Sequence, residues 1–263
     1  MTRIIDRAYT SLLRIVTAGR GLPWRVDDQT TLRIDPRCRW IRNAAYEADV
    51  VAYLRPGIRP GQCCIDVGAH VGFYALQMAL WNAPDGRVIA FEPNPTARVT
   101  IEGAAAGAAR GTADLFHGGE TSGLSRLDAP NPDSASGPPV RVPVVTLDEY
   151  CAASGVRPDW LLADAEGAEL LVLEGAAALL RDTEVQVVVE MHAALWDARH
   201  TTPATFDAFL RGCGRTAVPI TGQNDPLRDY GTVALIRDAS RRQRNPLIAH
   251  VPTGDTGANG RFG

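Results

Sequence analysis

One stretch of the sequence has the residue types and spacing of a nucleotide-binding loop. In Ile65-Asp-Val-Gly-Ala-His-Val-Gly72, an apolar run leads through a glycine turn into a second apolar run. Glycine adopts positive φ angles and lets the backbone approach a ligand closely, and the free amides of a helix start suit an anionic group. The pattern therefore predicts a strand, a ligand-binding turn and a helix, in that order.

A carboxylate follows the next apolar run. Val88-Ile-Ala-Phe-Glu-Pro93 ends with Glu92, at the position where α/β folds hydrogen-bond ribose hydroxyls. The glycines read Gly68-x-x-x-Gly72 rather than Gly-x-Gly-x-x-Gly, so the dinucleotide fingerprint is absent. His70 stands between them, and histidine tolerates left-handed backbone better than most residues. An NAD-dependent oxidoreductase is kept as an alternative because the loop and Glu92 are both present.

Two further segments place ionisable residues after apolar runs. Asp164-Ala-Glu166 follows one predicted strand and Glu190-Met-His192 ends another. As proton acceptors for a substrate hydroxyl, the candidates are His192, Asp164 and Glu166. We favour His192 because its unperturbed pKa is nearest neutrality, although a structural histidine is an equal alternative.

The same acidic groups suggest a second chemistry. Clustered carboxylate oxygens suit a divalent cation such as magnesium, and the predicted ligands are Asp164, Glu166 and Glu190. Glu169 differs, since a carboxylate in the first turn of a helix is expected to favour the positive end of the helix dipole.

Short apolar runs alternate with helical patterns from Gly61 onward, which is typical of an α/β fold. Predicted strands are residues 63–67, 88–92, 113–117, 140–145, 160–164, 185–191 and 232–236; predicted helices are 71–81, 95–108, 147–154, 167–180 and 203–211. Residues 129–139 are a predicted loop. We predict a helical extension over 1–45, a catalytic domain over 46–238 and a flexible tail over 239–263.

Composition excludes several functions. The 263 residues carry 27 basic and 30 acidic groups, and every basic residue is arginine. Without lysine there is no Schiff base and no phosphate-loop lysine, and slight acidity argues against nucleic-acid binding. Five cysteines without Cys-x-x-Cys spacing, no signal sequence and no bilayer-length apolar run predict a cytoplasmic protein without membrane contact. The amphipathic N-terminal helix is expected to pack on the domain or on the other subunit of a homodimer.

Taken together, the motifs resemble the FkbM family of class I S-adenosylmethionine-dependent methyltransferases. The resemblance rests on the loop from Asp66 to Gly72 and on Phe91-Glu-Pro-Asn94, Thr146-Leu-Asp-Glu149, Asp164-Ala-Glu-Gly-Ala-Glu169, Leu173-Glu-Gly-Ala176 and Glu190-Met-His192. It implies a Rossmann-like, seven-stranded, mostly parallel sheet with helices on both faces. The family often has asparagine at position 70 and lysine at position 163, where this chain has His70 and Ala163.

The resemblance also implies a cofactor and a reaction. S-adenosylmethionine is expected to contact Asp66, Gly68, Ala69, His70, Gly72, Glu92, Pro93, Asn94 and Asp164. The expected reaction is O-methylation of a hydroxyl of a small molecule, either a sugar or a secondary metabolite. Residues 118–139, residues 223–230 and the N-terminal helix are expected to select this acceptor. A catalytically idle cofactor-binding partner protein is the other alternative.

Overall fold

The computed structural model describes residues 2–26, 28, 30–94, 102–116, 125–127 and 138–238. The predicted tail over 239–263, most of the predicted loop over 129–139 and the first part of the predicted helix over 95–108 lie outside these residues. The described helices are α1 (Thr2–Val16), α2 (Ala48–Leu54), α3 (Phe73–Trp81), α4 (Leu147–Ser154), α5 (Glu169–Glu174), α6 (Ala177–Asp182) and α7 (Pro203–Gly212). The 3-10 helices are Pro36–Arg42 and Ala193–Arg199.

The described strands form three sheets. They are β1 (Leu22–Arg25), β2 (Thr31–Ile34), β3 (Cys63–Val67), β4 (Arg87–Phe91), β5 (Ala105–Ala106), β6 (Gly111–Phe116), β7 (Arg126–Leu127), β8 (Val140–Val145), β9 (Trp160–Ala163), β10 (Gln186–Met191), β11 (Arg215–Pro219) and β12 (Gly231–Arg237). β1 and β2 form an antiparallel hairpin, so the N-terminal 45 residues contain strands as well as the predicted helix.

The main sheet has six strands in the order β11-β12-β10-β9-β3-β4. The neighbours β10, β9, β3 and β4 are parallel, and β12 runs against both β10 and β11. Its central strands are buried along their length, as expected for a parallel sheet covered on both faces. The four parallel strands therefore end at one edge, where ligands bind in open α/β sheets.

The predicted sheet of seven mostly parallel strands is not what forms. Beyond β4, Glu102 makes one parallel bridge to Phe91, and β5 then joins a separate mixed sheet of order β5-β8-β6-β7. The predicted helix over 95–108 is accordingly wrong in its described part. The alanines favour a helix locally, but Ala105 and Ala106 are buried along β8, and this tertiary contact overrides their propensity.

The predicted helix over 167–180 is divided into α5 and α6 at Gly175. A Cβ atom at Gly175 would lie 2.1 Å from the carbonyl oxygen of Gly107, so only glycine permits this close approach. The contact joins the helical layer to the loop that leaves β5. Strand β11, which was not predicted from the sequence, completes the far edge of the main sheet.

The N-terminal segment packs against the start of α3. Trp24 of the hairpin stacks on Phe73, with ring centroids 5.5 Å apart, in a cluster that includes Ile34 and Ile41. Leu13 of α1 packs against this cluster, whereas Leu12, Ile15 and Val16 of the same helix are exposed, with Ile15 76% accessible. A homodimer through this helix stays a prediction. Among the helices of the described segments, none is long and apolar enough to cross a membrane.

Asp148, in the Thr146–Glu149 motif, has a structural role. Its carboxylate accepts hydrogen bonds from the backbone amides of Ala178 (2.8 Å) and Leu179 (3.0 Å), and so connects α4 to α6. We expect Asp148→Ala to lower the free energy of unfolding by about 1–3 kcal/mol, because two charge-assisted hydrogen bonds are lost. Urea denaturation measures this value. Glu149→Ala, at an exposed neighbour, is the control and is expected to change stability much less.

Candidate active site

The loop after β3 has the predicted left-handed turn. Gly68 and Gly72 have φ angles of 83° and 82°, and His70 has a φ of 49°. The amides of Gly68 and Ala69 donate to the carbonyl of Phe91 at 2.9 and 3.3 Å. The prediction that histidine can stand in the turn without a central glycine is confirmed, and the loop is attached to the end of β4.

Gly68 also touches the end of β9. A Cβ atom at Gly68 would lie 1.7 Å from the carbonyl oxygen of Asp164, while the amide of Asp164 donates to the carbonyl of Val67 at 2.9 Å. The glycine is therefore needed for two reasons, its positive φ and its contact with the neighbouring strand end. This contact brings Asp164 beside the glycine loop.

Glu92 holds the loop from the other side. Its side chain is 8% exposed and accepts hydrogen bonds from the backbone amides of His70 and Asn94, each at 2.7 Å. Burial raises the pKa of this carboxyl, while the two amide hydrogen bonds oppose that change. Glu92 is thus oriented by the backbone at the position predicted for a ribose contact.

Asp66 lies beneath the loop rather than in it. The side chain is 1% exposed, and neither carboxylate oxygen has a hydrogen-bond partner within the described part of the chain. Burial raises the pKa of Asp66 from 3.8 to about 7. The backbone of Ala75 opposes this change only in part, so ionisation of Asp66 costs the folded state free energy.

A cavity of about 550 Å³ opens at the carboxyl ends of β3, β4, β9 and β10. The predicted residues that line it are Gly68, His70, Glu92, Pro93, Asp164, Glu166, Glu190 and His192. The remaining predicted cofactor residues do not line it; these are Asp66, Ala69, Gly72 and Asn94. Ala163 lies in the core rather than on the cavity wall, so the family's lysine has no counterpart in the cavity.

His192 is held by a buried carboxylate. Its Nδ1 lies 2.9 Å from Oε1 of Glu169, which is fully buried and also accepts hydrogen bonds from the amide of Gly167 and from the indole of Trp196, each at 2.8 Å. Glu169 therefore accepts a hydrogen bond from a backbone amide just before α5, in keeping with its expected interaction with the start of the helix. The same carboxylate also fixes the imidazole of His192. Nε2 is left facing the cavity.

Three carboxylates surround this free nitrogen. Nε2 of His192 lies 4.0 Å from Oδ1 of Asp164 and 3.9 Å from oxygens of Glu166 and Glu190. Burial lowers the pKa of His192, but the hydrogen bond to Glu169 and the nearby negative charges outweigh it and raise the pKa to about 10. Burial raises the pKa of Glu166 to about 7 and that of Asp164 well above its ordinary value.

The residues able to hold a metal differ from the predicted set. Asp164, Glu190 and His192 each offer a ligand atom, and these atoms all lie within 4.8 Å of one another. Glu166, the third predicted ligand, is near His192 but is not part of this group. Its own backbone is left-handed, with φ of 47°, which is a strained conformation for this residue type.

Several cavity residues were not identified from the sequence. Trp40, Tyr46 and Glu47 come from the segment between the hairpin and α2, and Trp40 stacks on His70 with ring centroids 5.9 Å apart. Tyr230 donates a hydrogen bond to Glu190 and is the residue of the predicted 223–230 loop that lines the cavity. Helix α1 lines none of it within the described side chains. Aromatic residues near a site carry no local signal, which is why they were missed.

The profile of the methyltransferase FkbM domain matches residues 66–216. No curated protein sequence is significantly similar to the chain.

Several solved structures are similar to the chain, including the following three. An FkbM methyltransferase from Methylobacillus flagellatus KT is 15% identical, with a TM-score of 0.43, over 88% of this chain and 60% of that chain. A precorrin-6y C5,15-methyltransferase from Geobacter metallireducens GS-15 is 14% identical, with a TM-score of 0.38, over 73% and 88%. Fibrillarin from Aeropyrum pernix, in complex with natively bound S-adenosyl-L-methionine, is 15% identical, with a TM-score of 0.38, over 71% and 74%.

This chain therefore spans less than two thirds of the Methylobacillus structure. The family match alone covers more than half of the chain, including the glycine loop, the acidic segment and His192. The chain belongs to the methyltransferase FkbM domain family.

Proposed function

We propose that this protein is an S-adenosylmethionine-dependent O-methyltransferase acting on a hydroxyl of a small molecule, a sugar or a secondary metabolite. One observation carries the proposal. The glycine loop with Glu92 and the ionisable cluster around His192 open into the same cavity. A methyl donor on one wall and a hydroxyl on the other would meet there, as methyl transfer requires.

The described residues fit the cofactor. Gly68 lies on the cavity wall with its backbone in the left-handed region, and Glu92 presents an oriented carboxylate on the same wall. Gly68, His70, Glu92 and Pro93 would hold the nucleoside part. When bound, S-adenosylmethionine supplies an activated methyl group, and its transfer to an acceptor oxygen leaves adenosylhomocysteine and one proton.

The acceptor side of the cavity suits a ring-shaped molecule. Trp40, Tyr46 and Tyr230 are aromatic residues that line the cavity, and aromatic rings bind sugar rings and other rings by stacking. Glu47 and Glu190 add hydrogen-bond acceptors for hydroxyl groups. This composition supports a polyhydroxylated or mixed-polarity ligand.

The proton released from the acceptor passes to the cluster of His192, Asp164 and Glu166. Within this cluster Glu166, with a pKa raised to about 7, is the group able to take the proton near neutral pH, because His192, with a pKa raised to about 10, is already protonated there. All three line the cavity, and Nε2 is the imidazole nitrogen that faces it. We expect His192→Asn to lower kcat by about 10²–10⁴-fold, as for loss of a group that handles the proton. Adenosylhomocysteine binding is expected to stay near the wild-type value, and equal turnover in wild type and variant would remove His192 from the reaction.

Ligand titration tests the cofactor. Calorimetry of the full chain with adenosylhomocysteine is expected to show one site, whereas NAD is expected to give no heat of binding. NAD binding without adenosylhomocysteine binding would instead support an oxidoreductase. A mass-spectrometric screen of hydroxyl compounds with S-adenosylmethionine then tests turnover, through a product heavier by one methylene unit. Cofactor binding with no product from any acceptor would support the idle binding protein.

A further inference from the structure

We propose that Asp164, Glu190 and His192 bind a divalent cation on the cavity wall. Its role in holding the acceptor rests on the proposed function, but its binding does not. If a cation binds here, His192 is one of its ligands and is not the proton acceptor that the sequence favours.

The distances suit ligands of one ion. Nε2 of His192 is 4.0 Å from Oδ1 of Asp164 and 3.9 Å from Oε1 of Glu190, too long for hydrogen bonds. In an octahedral shell, neighbouring ligands at about 2.0–2.2 Å from the cation are about 3 Å apart and opposite ligands about 4.4 Å, so the side chains need to move inward by no more than about 1 Å to bind one ion. The three groups therefore surround a space of the size that a small divalent cation fills.

The histidine is prepared as a ligand. Its side chain is 10% exposed and its Nε2 makes no hydrogen bond to any described residue, although it points into the cluster. The other nitrogen is fixed by the buried carboxylate of Glu169. A carboxylate that orients a histidine through its distal nitrogen is the usual outer partner of a metal-binding imidazole.

Carboxylates outnumber the positive groups in this cluster. Oδ1 of Asp164 is buried and has no hydrogen-bond partner in the described part of the chain. Glu166, Glu169 and Glu190 all contribute negative charge to Asp164, and His192 is the positive group that opposes them. A bound cation would supply the missing charge at the point where these groups converge.

The ligand set indicates the ion. Two carboxylates with one imidazole suit manganese or magnesium, and the imidazole favours manganese of the two. Three protein ligands leave positions open in an octahedral shell, on the side of the cavity where the acceptor would lie. An acceptor hydroxyl bound there would be held in place and would lose its proton more easily.

Manganese alone is the probe. Full-length protein is freed of metal with EDTA and titrated with Mn²⁺ by electron paramagnetic resonance, without cofactor or acceptor. We expect one tight site per chain. Asp164→Asn and Glu190→Gln are each expected to weaken binding by more than about 100-fold, and Glu169→Gln, a positioning residue, by about 10–100-fold. Glu184→Gln is the matched control, since Glu184 is 74% exposed and pairs with Arg237.

The outcomes separate the two proposals. No Mn²⁺ site in the wild type, or equal affinity in wild type, Asp164→Asn and Glu190→Gln with unchanged circular dichroism, would overturn the metal site. Mn²⁺ binding without adenosylhomocysteine binding would support the metal site and contradict the proposed function. Adenosylhomocysteine binding together with full turnover in EDTA would support the proposed function and contradict the metal site.

Discussion

Replacing Gly68 with alanine is expected to abolish detectable binding of adenosylhomocysteine and to lower the free energy of unfolding by about 2–5 kcal/mol. The residue has a φ of 83°, and its Cβ would lie 1.7 Å from the carbonyl oxygen of Asp164. That atom is backbone, so it cannot rotate away. The ends of β3 and β9 would have to separate, and this would displace both Asp164 and the loop that Glu92 holds.

Gly155→Ala is the matched control for Gly68→Ala. Gly155 also has a positive φ, 67°, but its Cβ would meet nothing within 4 Å. Alanine there carries only the backbone strain, about 1–2 kcal/mol, and ligand binding is expected to be unchanged. Denaturation and calorimetry of both variants give the comparison. If Gly68→Ala is no more harmful than Gly155→Ala, the close contact with Asp164 is not significant for the fold or the site.

Asp66→Asn is expected to stabilise the protein above neutral pH. The wild-type carboxyl is buried without a hydrogen-bond partner in the described chain, and its pKa is raised from 3.8 to about 7. Between pH 3.8 and about pH 7 the folded state holds a proton that the unfolded state has released. The free energy of unfolding of the wild type therefore falls as the pH rises through this range. The shift corresponds to a loss of about 4 kcal/mol once the carboxyl is ionised.

The asparagine variant does not lose stability in this way. Its stability advantage over the wild type is expected to grow by about 2 kcal/mol between about pH 5.5 and about pH 8, and to grow no further above that pH. Urea denaturation of both proteins across this range, without ligand, measures the difference. If the difference in free energy of unfolding between the two proteins is constant across this pH range, ionisation of Asp66 does not destabilise the folded state.

The same variant links stability to function. A carboxyl that destabilises the fold at working pH is expected to be kept for ligand binding, as in other sites where activity opposes stability. We therefore expect Asp66→Asn to bind adenosylhomocysteine about tenfold more weakly while unfolding at higher denaturant concentration. Asp66 does not line the cavity, so its effect would act through the loop above it.

Local pattern was sufficient for the central part of the fold. Strand β8 and helix α4 have the predicted bounds, and β3, α3 and the turn between them lie where glycine spacing and apolar runs placed them. Glycine at positive φ and apolar runs are properties of consecutive residues, so the sequence alone reports them. The predicted helix over 95–108 is wrong in its described part because the packing of Ala105 and Ala106 on β8 is not a local property.

The candidate site also has features that follow from the sequence and features that depend on the tertiary structure. The sequence alone determined that Gly68, Glu92, Asp164 and His192 stand at strand ends, because parallel strands finish at one edge. Only the tertiary structure decided which groups meet there. Glu169 holds His192 across 23 residues, and Trp40 reaches His70 from the N-terminal segment. Asp66 is buried rather than exposed to ligand, in a strand that packs against α3. Such contacts depend on the relative placement of whole elements, which no single segment of sequence encodes.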